Sequence, residues 1–394
     1  MFCPPGSWSA LVNGIRPPEM KKARSRAGMT GLLYCRALYQ KRNIAATKQK
    51  MQRTDWIDRA KGIGILLVVI GHSTQYLYTD KAALALTGLI YSFHMPLFFM
   101  LSGIFAEHSL TKRGTSEFVI DKVRTIVYPY VIWSIFEGAY RYALGKTTGF
   151  TDVQGVRQIS AIYYKPIYHY WFLYALAVCF FLFAAIYRLP KAMKPLAVLS
   201  AIAAATFMLS GLLPHTIVRQ IAESLIYFVA GIHLSRAMGV AGSDGPSPSG
   251  IAAGLGALFL FGSVLNFVGL APDAPRTVQV LGFAAIGIAF TSVVSALIPS
   301  ESPVGRVLTY LGRISMAIYI FHIPPMALAK FFMDSQGITG LLPHVLVECT
   351  LGLVVPILIH RFVEPKIPRL YQWRQQAPRV NAELTRSLPS SLRP

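Results

Sequence analysis

Two consecutive apolar segments of this chain each carry a histidine near the middle. His72 lies in the first segment, DRAKGIGILLVVIGHS, and His94 lies in the second, IYSFHMPLFFMLSGIF. An ionisable side chain at bilayer depth is costly unless it faces protein or water, about 2.5–3.5 kcal/mol for charged residues on insertion scales. A neutral imidazole costs less but still needs a hydrogen-bond partner. The two histidines therefore predict a polar site inside a membrane.

The spacing between Lys61 and His72 places both side chains on one face of the first predicted helix. Eleven residues at about 100° each complete about three turns, and a rise of about 1.5 Å per residue separates the two by roughly 16 Å. One face of the helix would thus carry a cation at the membrane surface and an imidazole near the midplane. A long substrate with an anionic head and a reactive tip fits this spacing.

A third histidine, His322, also falls near mid-depth, and three histidines at one level on different helices favour a shared site. Pro96 follows His94, and Pro324 and Pro325 follow His322. A proline inside a helix frees the carbonyl four residues earlier, and freed groups in lipid are tolerated where they line a cavity or meet a partner. These prolines either shape a cavity wall or bend the helices only for packing. The freed carbonyls would be those of Ser92, Ile320 and Phe321.

Charged residues gather at the predicted cytoplasmic ends of the first three spans. Lys122 and Arg124 are topogenic charges that keep loops in the cytoplasm, or they hold phosphates as part of a basic rim. Lys61 differs from them because it shares a helix face with His72. We therefore expect Lys61 to be the rim residue most directly connected with the histidine site.

The composition identifies an all-α, polytopic membrane protein. Of 394 residues, 54% are hydrophobic and 14% are charged, whereas soluble domains carry about 25% charged residues. The net charge of +21 lies mostly in short loops and tails, which is the positive-inside pattern and does not indicate a nucleic-acid partner. The chain has apolar segments long enough for a ~30 Å hydrocarbon core, and they predict about ten spans with both termini cytoplasmic. These cover approximately residues 61–79, 84–106, 123–144, 169–187, 195–213, 217–238, 250–270, 277–298, 314–333 and 342–362.

Several other segments predict topology rather than chemistry. Residues 1–54 are basic and lack a membrane-length apolar run, which predicts a disordered cytoplasmic tail, and residues 371–394 predict a second cytoplasmic tail. The segment YYKPIYHYW, residues 163–171, predicts an aromatic belt at the outer membrane interface. The histidines are scattered and the cysteines lack metal-ligand spacing, so we expect neither a metal site nor a disulfide framework. The cysteines are Cys3, Cys35, Cys179 and Cys349.

The ordered motifs of residues 55–370 resemble the acyltransferase-3 family of membrane O-acyltransferases, in particular its fucose 4-O-acetylase-like branch. The first two motifs are specific together, and the later ones are weak alone. Lys61 departs from the arginine that the family commonly has eleven residues before the first histidine, and lysine cannot make the bidentate contacts of arginine. The motifs are WIDRAKGIGILLVVIGH (56–72), FHMPLFFMLSG (93–103), KVRTIVYPYVIW (122–133), YWFLY (170–174), GRISMAIYIFH (312–322) and RFVEP (361–365).

The resemblance implies a ten-helix enzyme of the cell inner (plasma) membrane that moves an acyl group to a sugar hydroxyl. The donor would be acetyl-CoA or another acyl-CoA, and the acceptor would be a cell-surface or secreted glycan or a lipid-linked sugar. His72 would act as general base or as transient acyl carrier. His94 would polarise the thioester or relay a proton, and Lys61 would hold CoA phosphates. The remaining expected substrate-binding residues are Asp58, Lys122, Arg124, Ser102, His322 and Glu364.

Two other classes of protein also accommodate these features. A proton-coupled transporter can use histidines at membrane depth as a proton relay. Transporters often contain paired halves with matched broken helices, and we find no such pairing in this sequence. A non-enzymatic scaffold or receptor would not need Lys61 and His72 on one helix face.

Overall fold

Helices account for all regular structure in the residues that the computed structural model describes. These are residues 55–371 except 76, 78–79, 149–154, 215, 242–275, 339 and 368–369. The chain divides into Met1–Ile57 and Asp58–Pro394, and the helical bundle belongs to the second unit. The predicted tail 1–54, the predicted span 250–270 and all of the predicted C-terminal tail except Tyr371 lie outside the described residues.

The described part of the chain contains thirteen α-helices. In chain order they are α1 (residues 55–74), α2 (Lys81–Arg113), α3 (Thr115–Lys122), α4 (Tyr128–Thr148), α5 (Gly155–Ala161), α6 (Trp171–Ile186), α7 (Pro195–Leu209), α8 (Ile217–Ala241), α9 (Arg276–Leu297), α10 (Pro303–Arg313), α11 (Ser315–Phe321), α12 (Ile323–Ser335) and α13 (Leu341–Leu358). Short 3₁₀ turns occupy Tyr168–Tyr170, Lys191–Met193 and Ser210–Leu212, and π-helical segments occupy Val123–Val127 and Ile359–Val363.

Five of the described helices are long and apolar enough to cross a membrane. They are α2, α6 with the turn before it, α7, α8 and α13 with its π-helical extension. A sixth span results if α10 and α11, which meet at an angle of 64°, count as one. The prediction of a helical membrane protein is confirmed, whereas the number of ten spans is not.

Capping residues determine where two of these helices begin. Asp80 precedes α2, and its carboxylate accepts the backbone N–H groups of Ala82 and Ala83 at 2.8 and 3.0 Å. Ser302 precedes α10 and accepts the backbone N–H of Gly305 at 3.0 Å. Such caps satisfy N–H groups that have no partner within the helix. The first predicted span, 61–79, ends earlier than expected, because α1 stops at residue 74.

The predicted span 314–333 is not one continuous helix, and this prediction was wrong. α11 ends at Phe321, His322 lies at the junction, and α12 begins with Pro324 and Pro325 in its first turn. Proline fits the first turn of a helix, where its missing N–H is not needed, and that missing N–H leaves the carbonyls of Ile320 and Phe321 without their usual helical donors. Pro96, by contrast, lies inside the continuous helix α2.

Glycines allow the central helices to approach each other closely. α2 packs along α8, and a Cβ at Gly103 would lie 1.9 Å from the Phe228 carbonyl oxygen. On the facing helix, a Cβ at Gly231 would lie 2.0 Å from the Met100 carbonyl oxygen. Small residues at such positions let helix backbones pack without intervening side chains, which is typical of helix contacts in membranes.

The start of α1 is fixed against two later parts of the chain. The Arg59 guanidinium is buried and donates to the Ser295 carbonyl and to the Ser300 hydroxyl, both at 2.7 Å. Gly62 packs against the backbone of α10, since a Cβ there would lie 2.1 Å from the Leu308 carbonyl oxygen. These contacts hold the helix that carries both Lys61 and His72.

Candidate active site

Three histidine rings from three separate segments meet beside a cavity of about 650 Å³. The ring centroid of His72 lies 5.1 Å from that of His322 and 6.3 Å from that of His169, and those of His169 and His322 are 5.3 Å apart. His94 lies on the wall of the same cavity, as do His72 and His169. The structure thus brings His72, His94 and His322 together and adds His169.

Backbone carbonyls fix the orientation of two of these rings. Nδ1 of His322 donates to the carbonyl oxygens of Ile318 and Tyr319 at 3.0 and 2.9 Å. Nδ1 of His94 donates to the Ile90 carbonyl at 2.7 Å. Because a carbonyl only accepts hydrogen bonds, Nδ1 carries the proton in each neutral ring and Nε2 presents a lone pair. The His322 Nε2 is buried and has no hydrogen-bond partner in the described structure.

His72 is held differently, by side chains of the cavity wall. The Gln75 amide nitrogen lies 2.9 Å from His72 Nδ1 and donates to it, and the Tyr91 hydroxyl donates to the Gln75 amide oxygen at 2.7 Å. The Tyr91 hydroxyl also lies 3.4 Å from His72 Nδ1. An accepting Nδ1 places the proton of the neutral His72 ring on Nε2.

His169 is the residue of this cluster that the sequence did not reveal. It lies within the segment 163–171, which we predicted to be an interfacial aromatic belt, but its side chain is buried beside the cavity. The only sequence signal was a histidine flanked by Tyr168 and Tyr170, two residues before Trp171. Nothing in its spacing connects it to His72, so its position depends on how the helices pack.

The remaining cavity wall combines aromatic rings with polar side chains. The Arg141 guanidinium lies 3.8 Å from the centre of the Tyr168 ring and donates to the buried Glu137 carboxylate at 2.6 Å. Glu223 accepts from Arg219 at 2.8 Å. Other residues that line the cavity include Trp171, Gln220, Ser224 and Tyr227. Such a wall suits a ligand that has both a flat apolar face and several hydroxyl groups.

Lys61 does not line the cavity. Its ammonium lies 3.9 Å from the Asp58 carboxylate and 5.5 Å from the centre of the Phe105 ring. Asp58 also accepts from Arg313 at 3.3 Å. Since Lys61 and His72 belong to one helix, about 16 Å of helix rise separates them. The cavity therefore lies toward the opposite end of α1 from this charged group.

The other predicted substrate-binding residues also lie outside the cavity wall. Lys122 contacts Asp121 at 3.0 Å and lies above the Phe180 ring at 4.7 Å from its centre. Arg124 is half-buried in the π-helical segment after α3. The Ser102 hydroxyl donates to the Phe98 carbonyl of its own helix at 2.8 Å.

Glu364 belongs to a separate polar group near the end of the described chain. Its carboxylate accepts from the Tyr371 hydroxyl at 2.6 Å and contacts His360. The Tyr371 ring packs 6.2 Å from that of Phe321, next to His322. Glu364 thus lies two aromatic rings, Tyr371 and Phe321, away from His322.

Comparison with known families decides which family the chain represents. The acyltransferase-3 family, described as an acyltransferase domain, matches residues 54–361, which is more than half of the chain. The chain belongs to the acyltransferase-3 family. The prediction of a membrane acyltransferase is thereby confirmed at the level of the family, and the transporter and scaffold alternatives gain no support. The match does not distinguish the fucose 4-O-acetylase-like branch.

Two curated relatives share part of this acyltransferase-3 chain. Nodulation protein NolL of Sinorhizobium fredii (strain NBRC 101917 / NGR234) is 34% identical over 146 residues, which cover 34% of this chain and 37% of the relative. Nodulation protein NolL of Mesorhizobium japonicum (strain LMG 29417 / CECT 9101 / MAFF 303099) is 30% identical over 162 residues, which cover 40% and 39%. The chain thus spans less than half the length of either relative. No solved structure matches the chain.

Proposed function

We propose that this protein moves an acetyl or other short acyl group from acyl-CoA to a sugar hydroxyl of a cell-surface or secreted glycan. The observation that carries the proposal is the placement of His72 on the wall of a cavity while Lys61 lies at the other end of the same helix. Membership of the acyltransferase-3 family supports the reaction class. Neither donor nor acceptor follows from the family match alone.

The donor binds with its phosphates at the charged end of the bundle. Lys61, Lys122 and Arg124 supply positive charge there, and Asp58 holds Lys61 in place until a phosphate replaces it. A lysine binds phosphate as a point charge. The roughly 16 Å of helix between Lys61 and His72 leaves room for the long arm that joins the CoA phosphates to its thioester.

The acyl carbon then reacts next to His72. An imidazole of this histidine cluster can take the proton of the attacking hydroxyl or carry the acyl group transiently. The hydroxyl oxygen forms a bond to the acyl carbon, the carbon–sulfur bond breaks, and the proton of the hydroxyl ends on the CoA sulfur. His94 and His322 supply additional imidazole groups within the same cluster.

The acceptor occupies the cavity on the side away from Lys61. A sugar ring would stack on the aromatic wall formed by Tyr168 and Trp171, and its hydroxyls would bond to Gln220 and Glu223. With both termini cytoplasmic and the protein in the inner membrane, the donor end faces the cytoplasm and the cavity faces the outside. An acceptor carried on a lipid or exported glycan can reach such a cavity.

Transfer of radiolabel from acetyl-CoA tests this function. Membranes from cells that express the protein, supplied with radiolabelled acetyl-CoA, should label their glycan fraction, whereas membranes without the protein should not. Mild alkali should release the label as acetate, because esters are hydrolysed under these conditions. Equal labelling of both membranes, or label that resists alkali, would contradict the proposal.

A further inference from the structure

His169 has two ring nitrogens without a hydrogen-bond partner in the described structure. The residue is only 6% exposed and forms part of the cavity wall. A buried polar atom without a partner destabilises the fold. The fold therefore places at the cavity wall an imidazole beside the Tyr319 backbone whose ring nitrogens are available to a bound hydroxyl.

The backbone around His169 is held in an uncommon conformation. Tyr168 has a φ angle of 44°, in the left-handed region that a bulky residue rarely adopts. The Tyr319 hydroxyl donates to the His169 carbonyl, and the Tyr170 hydroxyl donates to the Ile320 carbonyl at 3.4 Å. Strain of this kind persists only where surrounding contacts impose it, and it clusters at ligand sites. These contacts fix the His169 ring beside His72 and His322.

The hydrogen bonds of His72 leave that ring poorly suited to accept a proton. Gln75 donates to its Nδ1, so Nε2 of the neutral ring carries a hydrogen and acts as a donor. A donor next to the thioester can hold the acyl oxygen as negative charge develops on it. Another ring must then take the proton of the acceptor hydroxyl.

We propose that His169 is the base that takes the proton from the acceptor hydroxyl, an inference that rests on the proposed acyl transfer. The hydroxyl oxygen bonds to the acyl carbon, its proton moves to a ring nitrogen of His169, and the carbon–sulfur bonding electrons leave with the CoA thiolate. The protonated His169 ring then gives its proton to that thiolate. The His322 ring lies beside both, 5.3 Å from His169 and 5.1 Å from His72.

The surroundings of His169 distinguish it from His94, which also presents a free Nε2 to this region. His169 follows Tyr168 and lies two residues before Trp171 in the chain, at the aromatic wall where we place the sugar. His94 lies beside Tyr91, with ring centroids 5.0 Å apart, and thus on the wall that holds His72. The base that takes the proton of the acceptor hydroxyl should lie on the aromatic wall where we place the sugar.

The experiment combines conservative substitution with chemical rescue. H169Q, H169A and H94A are compared with wild type for glycan labelling from radiolabelled acetyl-CoA and for acetyl-CoA binding to purified full-length protein. We expect H169Q to slow transfer about 100-fold or more, the range for loss of a general base, with acetyl-CoA affinity within about twofold. Added imidazole should restore transfer to H169A but not to H94A. H233Q is the matched control, because His233 is exposed and contacts Ser200.

Each outcome has a defined meaning. Transfer by H169Q at the wild-type rate would overturn the inference, and so would a loss of transfer that imidazole rescues only in H94A. Loss of acetyl-CoA binding in H169Q, or loss of transfer in H169A that imidazole does not rescue, would show a structural role instead. If wild-type protein labels no glycan, the proposed function fails, and the inference fails with it.

Discussion

The two ends of this helical bundle differ in how their polar side chains are paired. At the charged end, Lys61 and Arg313 both contact Asp58, and Lys122 contacts Asp121. At the cavity end, the ring nitrogens of His169 and Nε2 of His322 are buried without a hydrogen-bond partner in the described part of the chain. On the proposed function, the acyl donor would displace ion pairs such as Lys61–Asp58, whereas the acceptor would meet imidazole rings that are already oriented. On this proposal, the histidine cluster is oriented before substrate binds, whereas the ion pairs at the charged end rearrange when the donor phosphates bind.

Helix packing differs between the two ends as well. At the charged end, the backbones of α1 and α10 touch, and a Cβ at Gly312 would lie 1.8 Å from the Asp58 carbonyl oxygen. At the cavity end, a Cβ at Gly71 would meet the Tyr91 ring at 2.6 Å rather than a backbone. At the charged end the helix backbones are in direct contact, which leaves little room for them to move. At the cavity end side chains separate the helices, which leaves space for the cavity.

The largest expected effect follows from removal of His72, the ring at which the proposed donor and acceptor meet. His72→Ala should lower kcat by about 100-fold to 10,000-fold, the range for lost acid–base or oxyanion groups, with little change in the Kd for acetyl-CoA. Single-turnover labelling and acetyl-CoA binding measure the two quantities. A variant that binds acetyl-CoA and still transfers at the normal rate would remove His72 from the chemistry; His233→Ala is the control.

Substitution of Lys61 should affect donor binding rather than turnover. Loss of one charge-assisted contact costs roughly 1.5–3 kcal/mol, so Lys61→Ala should reduce kcat/KM about tenfold to hundredfold through the donor KM, and Lys61→Arg should retain most activity. Lys330→Ala is a suitable control, since Lys330 pairs with Asp334 on α12. Normal donor binding by Lys61→Ala combined with lost turnover would move Lys61 into the chemistry.

A methyl group at Gly62 should destabilise the rigid end of the bundle. Gly62→Ala places a Cβ against the Leu308 carbonyl, and overpacking of this kind costs about 1–3 kcal/mol. The midpoint of thermal unfolding in detergent should therefore fall. Gly88→Ala is the matched control, because a Cβ at Gly88 meets nothing within 4 Å. Equal unfolding midpoints for the two variants would show that α1 can move away from α10.

The smallest expected effect concerns the side chains that hold His72. Tyr91→Phe removes the hydroxyl that bonds to Gln75, and a hydrogen bond between neutral groups contributes about 0.5–1.5 kcal/mol. The single-turnover rate should fall about twofold to tenfold, with the donor Kd unchanged. Tyr163→Phe changes an exposed tyrosine and should have no effect. A fall of 100-fold or more would indicate that Tyr91 itself reacts with substrate.

Several parts of the site were predictable from the sequence because they depend on one helix at a time. The shared face of Lys61 and His72 follows from helical periodicity. The carbonyl freed at Ile320 was predicted from Pro324, and it accepts the Tyr170 hydroxyl. The break at His322 was not predicted, because a proline pair can kink a helix or begin a new one. The roles assigned to Asp58, Ser102 and Glu364 remain predictions.

The sequence by itself determined that this is a helical membrane protein of the acyltransferase-3 family with histidines in its apolar segments. Composition, the length of apolar segments and the order of motifs can be read from the sequence without knowing which helices pack together. Only the tertiary structure showed that the rings of His169 and His322 lie beside His72. It also showed that Lys61 and Arg313 both contact Asp58 at the charged end. Helix–helix contacts between distant segments depend on close backbone approach and complementary side chains. No periodicity within a single segment encodes which helix will lie beside it.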